Sequence, residues 1–402
     1  MIETNKVITH CANTFPKAEW DKATRILMHT PEMVLFDGVI HPAAGLFKDY
    51  FNINDAISEH LNYIKMLESN GIQVYTLEDI LRSLPHDKLI ELAEPALTYD
   101  GTKTSQSPSE IETYRQEVLS KMCNEDLVRV ILNRPGVILD NTSINTGVKA
   151  IYTSEPLMNI YFTRDQSITT PKGHIMCRMN SSQRFPEVDV VETCYKAMGE
   201  PAIYRINGET SYLEGGDYIP AGDFAIIGQG LRTSQEAIDE LLQNDLIGHN
   251  TLVVVRDSWK NQYQMHLDTY FNIIDKDLCT LCFNRYDAED KSDINFLSID
   301  VYSRKDESSE YCPVPEYSGY SFKQFLIDKG FTIIRINKED ADRYANNYLT
   351  IGARHIMAVA GQSQEYQDAL SENNVTVEWV PLDNLTCGYG ASHCMTQVLE
   401  RI

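Results

Sequence analysis

The chain has 402 residues, 23% of them charged and 43% in the hydrophobic set, which is the balance of a globular protein with a large core. Its formal net charge is −23, from 35 basic and 58 acidic residues. A body that acidic repels phosphate backbones and anionic lipid, which argues against nucleic-acid and membrane partners.

The start, "MIETNKVITHCANTF", lacks the apolar core of a signal peptide, and no run approaches the length of a membrane span. The cysteines number nine and are scattered, from Cys11 through Cys387 and Cys394, unlike a disulfide framework. Cys279 and Cys282 have CxxC spacing, but no second pair or nearby His completes a tetrahedral site, and their flanks read as strand. These features predict a cytoplasmic protein with reduced thiols and no bound metal.

Along the chain one pattern recurs: an amphipathic helix, a Gly or Asn stop, then a short apolar strand. In "ISEHLNYIKMLESNGIQVYTL", Ile57, Leu61, Ile64 and Leu67 fall on one helical face, Gly71 suits the C-cap and Val74 begins an extended run. Residues 78–150 break the rhythm and read as helices without intervening strands. There Ser107, Pro108 and Glu110 supply an N-cap, a first-turn Pro and an N3 Glu, and "NEDLVRVIL" follows as another helix. The helix–strand unit returns in "ETCYKAMGEPAIYRI" and in "SQEAIDELLQNDLIGHNTLVVV", where Thr233 and Glu236 have capping-box spacing. Two further copies surround Gly330 and the pair Asn373 and Asn374. Five similar α/β units look more like blades around an axis than one open sheet, an ordinary α/β sandwich being the alternative.

Four polar stretches interrupt this body. "NIYFTRDQS" places Arg164 and Asp165 after Tyr161 and Phe162, and "SYLEGGDYI" sets Glu214 and Asp217 around two glycines. "QYQMHLDTYF" puts His266 and Asp268 two apart, on one face if the segment is a strand. The tail, "DNLTCGYGASHCMTQVLERI", carries Cys394 between a glycine-rich loop and the C-terminus. Gly388 and Gly390 suit a turn or a close approach to a ligand, and Cys394, Met395, Val398 and Leu399 read equally as a short core segment. Taken singly, each stretch could be a salt-bridged or solvated turn. Together they supply a thiol, an imidazole and several carboxylates.

One chemistry uses all of these. A guanidinium is planar and rich in N–H donors, so carboxylates are its bidentate partners. Its central carbon is a weak electrophile, so attack calls for a strong nucleophile such as thiolate. A His can protonate the leaving amine and then take a proton from water.

The ordered set FTRD, LEGGD, MHLDT and a near-terminal glycine loop ending in HCM resembles the arginine deiminase family, over nearly the whole chain. The resemblance implies an α/β fold, a five-bladed β/α propeller with a helical insertion, here residues 1–77 and 151–402 around 78–150. It implies hydrolysis of L-arginine to L-citrulline and ammonia, with Cys394 as covalent nucleophile and His266 as general acid and base. Asp165 and Asp268 would grip the guanidinium, and Glu214 would pair with both substrate and His266. Arg184 and Arg232 match positions that hold the substrate α-carboxylate, and Asn159 one that touches its amino-acid end. Arg164 and Asp217 are further substrate-binding candidates within the same motifs. The implied partner is a small cationic guanidino compound; no metal or organic cofactor is implied, and a homo-oligomer is left open.

One departure stands out. The loop "CGYGASHC" has Tyr389 and His393 but no Arg, where the family usually carries an Arg that reaches the α-carboxylate. In flavour it is closer to agmatine deiminases and amidinotransferases, which keeps another guanidino or ureido substrate, or amidino transfer, as the alternative. Cys387, a second thiol nearby, is read as packing.

Overall fold

The computed structural model describes residues 15–305 and 308–402; Cys11 and the rest of the first fourteen residues lie outside them. Strands and helices follow one another as a repeated unit: two antiparallel strands, a helix, and a third strand parallel to the second. Ser167–Thr170 and Gly173–Met176 form the first hairpin, and Phe185–Ala197 crosses to Tyr204–Arg205. Tyr218–Ala221, Phe224–Gln229, Gln235–Gln243 and Thr251–Asp257 repeat it, with Leu297–Arg304 added on the far edge. Phe271–Asp275 and Leu278–Cys282 pair in turn with Thr332–Ile336, and Leu349–Gly352 and His355–Val359 with Thr376–Val380.

The remaining unit joins the two ends of the described chain. Gln397–Arg401 pairs antiparallel with Ala23–Met28, which pairs parallel with Gln73–Thr76 across the helix Ile53–Ser69. The tail is therefore a buried strand, and a thiol eight residues before its end sits in ordered structure. The core-segment reading of the tail holds: Cys394, Met395 and Val398 pack with Ile26, Leu67 and Phe162 in one apolar cluster.

The helix Ile53–Ser69 buries Ala56, His60, Tyr63 and Leu67, a face one residue removed from the expected one, and leaves Leu61 45% exposed. Hydrophobicity alone missed this because Tyr63 is chosen for its hydroxyl, which donates to the Ser392 carbonyl beside the nucleophile candidate at 3.1 Å. Gly71 at φ +77° ends the helix as predicted.

The strand-free reading of residues 78–150 is corrected. Helices Leu77–Ser83, His86–Ala93, Pro108–Lys121 and Asn124–Asn133 are present, and Ser107 and Glu110 form the expected capping box. Alongside them Thr98–Lys103, Pro135–Asn141 and Val148–Ser154 form a separate three-stranded sheet. Its outer strand has almost no buried position, so no apolar alternation marks it in the sequence. Thr233 and Glu236 do not form the expected cap either: Ser234 caps Gln235–Gln243, and Thr233 is turned to other use. The CxxC pair lies in the buried strand Leu278–Cys282, as its flanks suggested. Among the described residues no helix is long and apolar enough to cross a membrane.

Candidate active site

The four polar stretches converge although they lie up to 230 residues apart in sequence. Asn159, Asp165, Arg184, Arg232, His266 and Cys394 line one narrow, buried cavity, together with Gln262 and Tyr389. Each is carried there by a turn at the end of a strand. Thr163, in the FTRD turn, donates its hydroxyl to the carbonyls of both Leu27 and Met395 at 3.0 Å, locking that turn to the strand Ala23–Met28 and to the turn before Gln397–Arg401.

Glycines let these turns approach one another. A Cβ on Gly216 would stand 2.7 Å from His266 Nδ1, and one on Gly390 would stand 3.0 Å from the Cβ of Cys394. The left-handed residue in the tail loop is neither glycine but Tyr389, at φ +69°. A non-glycine residue held there marks a position fixed by its surroundings, and its ring meets Tyr263 edge-on at 5.4 Å.

His266 is gripped by acids on both sides. Its Nε2 lies 2.8 Å from Glu214 Oε2 and its Nδ1 3.7 Å from Asp165 Oδ1. The expected strand is instead a short 3-10 turn, Leu267–Thr269: His266 at its N-cap lines the cavity, while Asp268 is fully buried against His393 and Cys394. Burial alone would lower the imidazole pKa, but Asp165, Glu214 and Asp217 overcome it and hold it at about 9, so the ring is cationic at neutral pH. Glu214 goes the other way: burial would raise it, yet Arg232, His266 and Arg184 bring it down to about 2.

Asp165 and Asp268 share a feature that decides the chemistry. Asp165 Oδ2 accepts from Arg184 Nη1 at 2.8 Å, and Asp268 Oδ2 accepts from His393 Nδ1 at 2.7 Å. The Oδ1 of each is buried without a hydrogen-bond partner. A buried carboxylate oxygen without a hydrogen bond costs free energy unless something cationic meets it, as His266 Nδ1 does for Asp165 Oδ1 at 3.7 Å.

Cys394 Sγ lies 3.5 Å from Asp268 Oδ2. Burial, then the Asp268 and Asp165 carboxylates, push its pKa well above the ordinary thiol value, against hydrogen bonding from Asn347. At neutral pH it rests as a thiol. Cys387 is half-buried against the core and its Sγ contacts the Asp383 carbonyl at 3.8 Å, in keeping with packing.

Four expected substrate contacts are not in the cavity wall: Glu214 and Asp268, held by His266 and His393, and Arg164 and Asp217, which are turned elsewhere. Arg164 turns back to the nucleophile loop, its Nε donating to the His393 carbonyl at 3.4 Å while its backbone N–H donates to that of Cys394 at 3.1 Å. Asp217 is buried behind His266, accepting from Thr233 Oγ1 at 2.6 Å and from the Leu267 N–H at 2.9 Å. Both brace the segments that carry Cys394 and His266. Arg184 does reach the cavity but is heavily engaged, donating to Asp165, to Glu187 and to the Asn159 carbonyl. Asn159 in turn donates to the Gly45 carbonyl at 3.0 Å. Arg232 is freer: Nη2 donates to Gln262 at 3.0 Å, and its buried Nε has no partner.

Sequence reading missed Glu187, Gln262, His393 as the holder of Asp268, and Asn347. Only Asn347 left a trace, in the buried "ANNYL" stretch, where adjacent amides have no apolar reason to be.

Asp165, Glu214 and His266 could in principle hold a metal, their ligand atoms lying within 4.8 Å of one another. Two guanidiniums already stand against these acids: Arg184 Nη1 is 2.8 Å from Asp165, and Arg232 Nη1 is 3.7 Å from Glu214. A divalent ion placed there would face both, so the donor set suits organic cations better.

A family model described as arginine deiminase matches residues 44–401. An arginine deiminase of Halobacterium salinarum is 26% identical, covering 96% of each chain, and one of Lactococcus lactis is 23% identical over 89% of this chain and 90% of that one. Among solved structures, a DDAH from Pseudomonas aeruginosa complexed with citrulline has a TM-score of 0.55 at 16% identity, covering 95% of this chain and 100% of that one. The N-terminal domain of ArgZ, an arginine dihydrolase from Cyanobacteria, has a TM-score of 0.57 at 13% identity, covering 94% of this chain and 98% of that one. Those two share the mixed α/β fold. With the family model spanning nearly all of the described sequence around this cavity, the chain belongs to the arginine deiminase family.

Proposed function

We propose that this protein hydrolyses L-arginine to L-citrulline and ammonia through a covalent intermediate on Cys394. The observation that carries the reading is the pair of bare carboxylate oxygens, Asp165 Oδ1 and Asp268 Oδ1, around a thiol and a cationic imidazole. A guanidinium bound between the two acids brings a positive charge to the sulfur, so the thiol gives up its proton to solvent and becomes thiolate. The thiolate attacks the guanidinium carbon, and the C–N bond breaks as the His266 imidazolium gives its proton to the departing nitrogen, releasing ammonia. The neutral imidazole then takes a proton from water, whose oxygen attacks the amidino carbon. The C–S bond breaks, the proton of the adduct's hydroxyl passes to the sulfur, citrulline leaves and the thiol is restored. Glu214 keeps the ring cationic at the first step and orients it at the second.

Arg232, with a spare buried N–H, supports recognition of the α-carboxylate. The alternative substrate, a guanidino compound without that group, is favoured by the Arg-free loop and by the engagement of Arg184 with Asp165 and Glu187. Incubation with arginine, agmatine and citrulline, with ammonia and ureido product measured, tests the reading. Ammonia from arginine is expected, and its absence with ammonia from agmatine would favour the alternative.

We further propose that the five repeated units close into a β/α propeller, residues 1–77 and 151–402, with 78–150 inserted. The pairing of Gln397–Arg401 with Ala23–Met28 supports ring closure. The described cysteines, all unpaired, support a cytoplasmic setting.

A further inference from the structure

We propose that Asn347 is a further catalytic residue, whose amide donates a hydrogen bond to the Cys394 sulfur and stabilises the thiolate while clamping the nucleophile loop. The inference rests on the assignment of Cys394 as nucleophile.

Asn347 lies in the bend between the helix Lys338–Asp342 and the strand Leu349–Gly352, fully buried. Its Nδ2 donates to Cys394 Sγ and to the Asp268 carbonyl, each at 3.1 Å. Its Oδ1 accepts from the N–H groups of Ala391 at 2.9 Å and Cys394 at 3.2 Å. The carbonyl of the same residue accepts from the His393 N–H at 3.1 Å and the Ser392 hydroxyl at 3.0 Å. Every capacity of the side-chain amide is used, and its orientation is determined, since a flipped amide would turn its NH₂ against two backbone donors.

No other type of residue does this. Asp supplies the acceptor but no donor, Leu supplies neither, and Gln is longer by a methylene in a packed site. The segment is also rigid before the loop reaches it, because Asn272 Nδ2 donates to the carbonyls on either side, those of Asn346 at 3.1 Å and Tyr348 at 2.8 Å.

The chemical need follows from the surroundings of the sulfur. Its nearest ionisable neighbour is the carboxylate Asp268, which accepts from a thiol but repels a thiolate. The Asn347 N–H is a neutral donor that gains strength as the sulfur becomes anionic, offsetting the carboxylate at the moment of attack.

The test is the pH profile of Cys394 alkylation by iodoacetamide, read by mass spectrometry on the Cys394 peptide, in wild type, Asn347→Asp and Asn347→Ser. Asn347→Asp keeps the acceptor for the loop while losing the donor. Both variants should alkylate about ten- to a hundred-fold more slowly at neutral pH, with the profile displaced to higher pH, as befits the loss of a hydrogen bond to a charged group. Loss of turnover should fall on kcat rather than on KM. Superimposed alkylation profiles would overturn the proposal. Should neither variant fold, the side-chain amide proton of Asn347 in wild type must shift in NMR spectra with the midpoint of the thiol titration, and an unmoved resonance would overturn it equally. Alkylation needs no arginine, so a slow variant of a protein that releases no ammonia from arginine would leave this proposal standing and remove the substrate reading.

Discussion

Asp165 takes its hydrogen bond from the Arg184 guanidinium and sits among Glu187, Glu214 and His266, whereas Asp268 takes its own from His393 and sits among amides and backbone groups. One side of the cavity is a lattice of charges; the other is a lattice of mostly neutral hydrogen bonds. Burial raises the Asp165 pKa despite its cationic neighbours, while at Asp268 the opposing effect of burial is overcome by the His393 hydrogen bond. The charged side can move protons and read the ends of a substrate, because its members respond to one another over several ångströms. The hydrogen-bonded side fixes geometry, because a thiolate must be delivered to one carbon from one direction.

Removing the atom that both sides serve should have the largest effect. Cys394→Ala is expected to lose turnover on the order of 10⁴-fold or more, as for other nucleophiles, with ammonia release as the readout. Wild type quenched in acid during turnover should carry an adduct on the Cys394 peptide, and persistent activity in the variant would shift attention to Cys387.

Asp268→Asn strikes the hydrogen-bonded side. Loss of a buried charge that pairs with a bound cation costs roughly 3–5 kcal/mol, and about 1.4 kcal/mol is tenfold in rate, so kcat/KM should fall several hundred-fold or worse. Near-normal kinetics would take Asp268 out of the cage.

On the charged side, Glu214→Gln should reveal itself in pH dependence. In the proposed mechanism His266 acts first as an acid, so turnover should decline as pH rises through about 9 and the ring loses its proton. Without Glu214 the ring pKa falls towards its ordinary value, and the alkaline decline should begin at lower pH. An unmoved alkaline limb would assign that limb to another group.

The arginines separate two functions of the same side. Arg232→Gln should reduce kcat/KM for arginine by roughly ten- to a hundred-fold, the loss of a charge-assisted hydrogen bond, and spare agmatine. Arg184→Gln should damage both substrates, because it also releases Asp165 and Glu187. If neither change alters the ratio of the two kcat/KM values, the cavity does not recognise a carboxylate. Tyr389→Phe should cost arginine less than either, since one neutral hydroxyl is removed from the cavity rim.

Chain statistics and motif order carried a good deal of this. The helix–strand units around Gly71, Gly330 and Asn374 were legible because apolar faces repeat at helical spacing and the stops take left-handed backbone, at φ +77°, +89° and +57°. Asp165, His266 and Cys394 were legible because short motifs keep charged residues beside apolar strands. The sheet of Thr98–Lys103, Pro135–Asn141 and Val148–Ser154 was not, since strands exposed on both faces carry no alternation. Arg164 and Asp217 were assigned to substrate by adjacency, and adjacency in a turn says nothing about direction.

What the sequence determined by itself is the inventory and its order: a family, a thiol, an imidazole and acids in a chain rich enough in apolar residues to bury them. What only the tertiary structure decided is which oxygen of each acid stays bare, which arginine is spent on neighbours, and that Asn347 meets a sulfur 47 residues away. Those choices depend on distances and directions between segments remote in the chain, and hydrogen bonding, unlike hydrophobic burial, is decided by angles and tenths of an ångström that no linear pattern records.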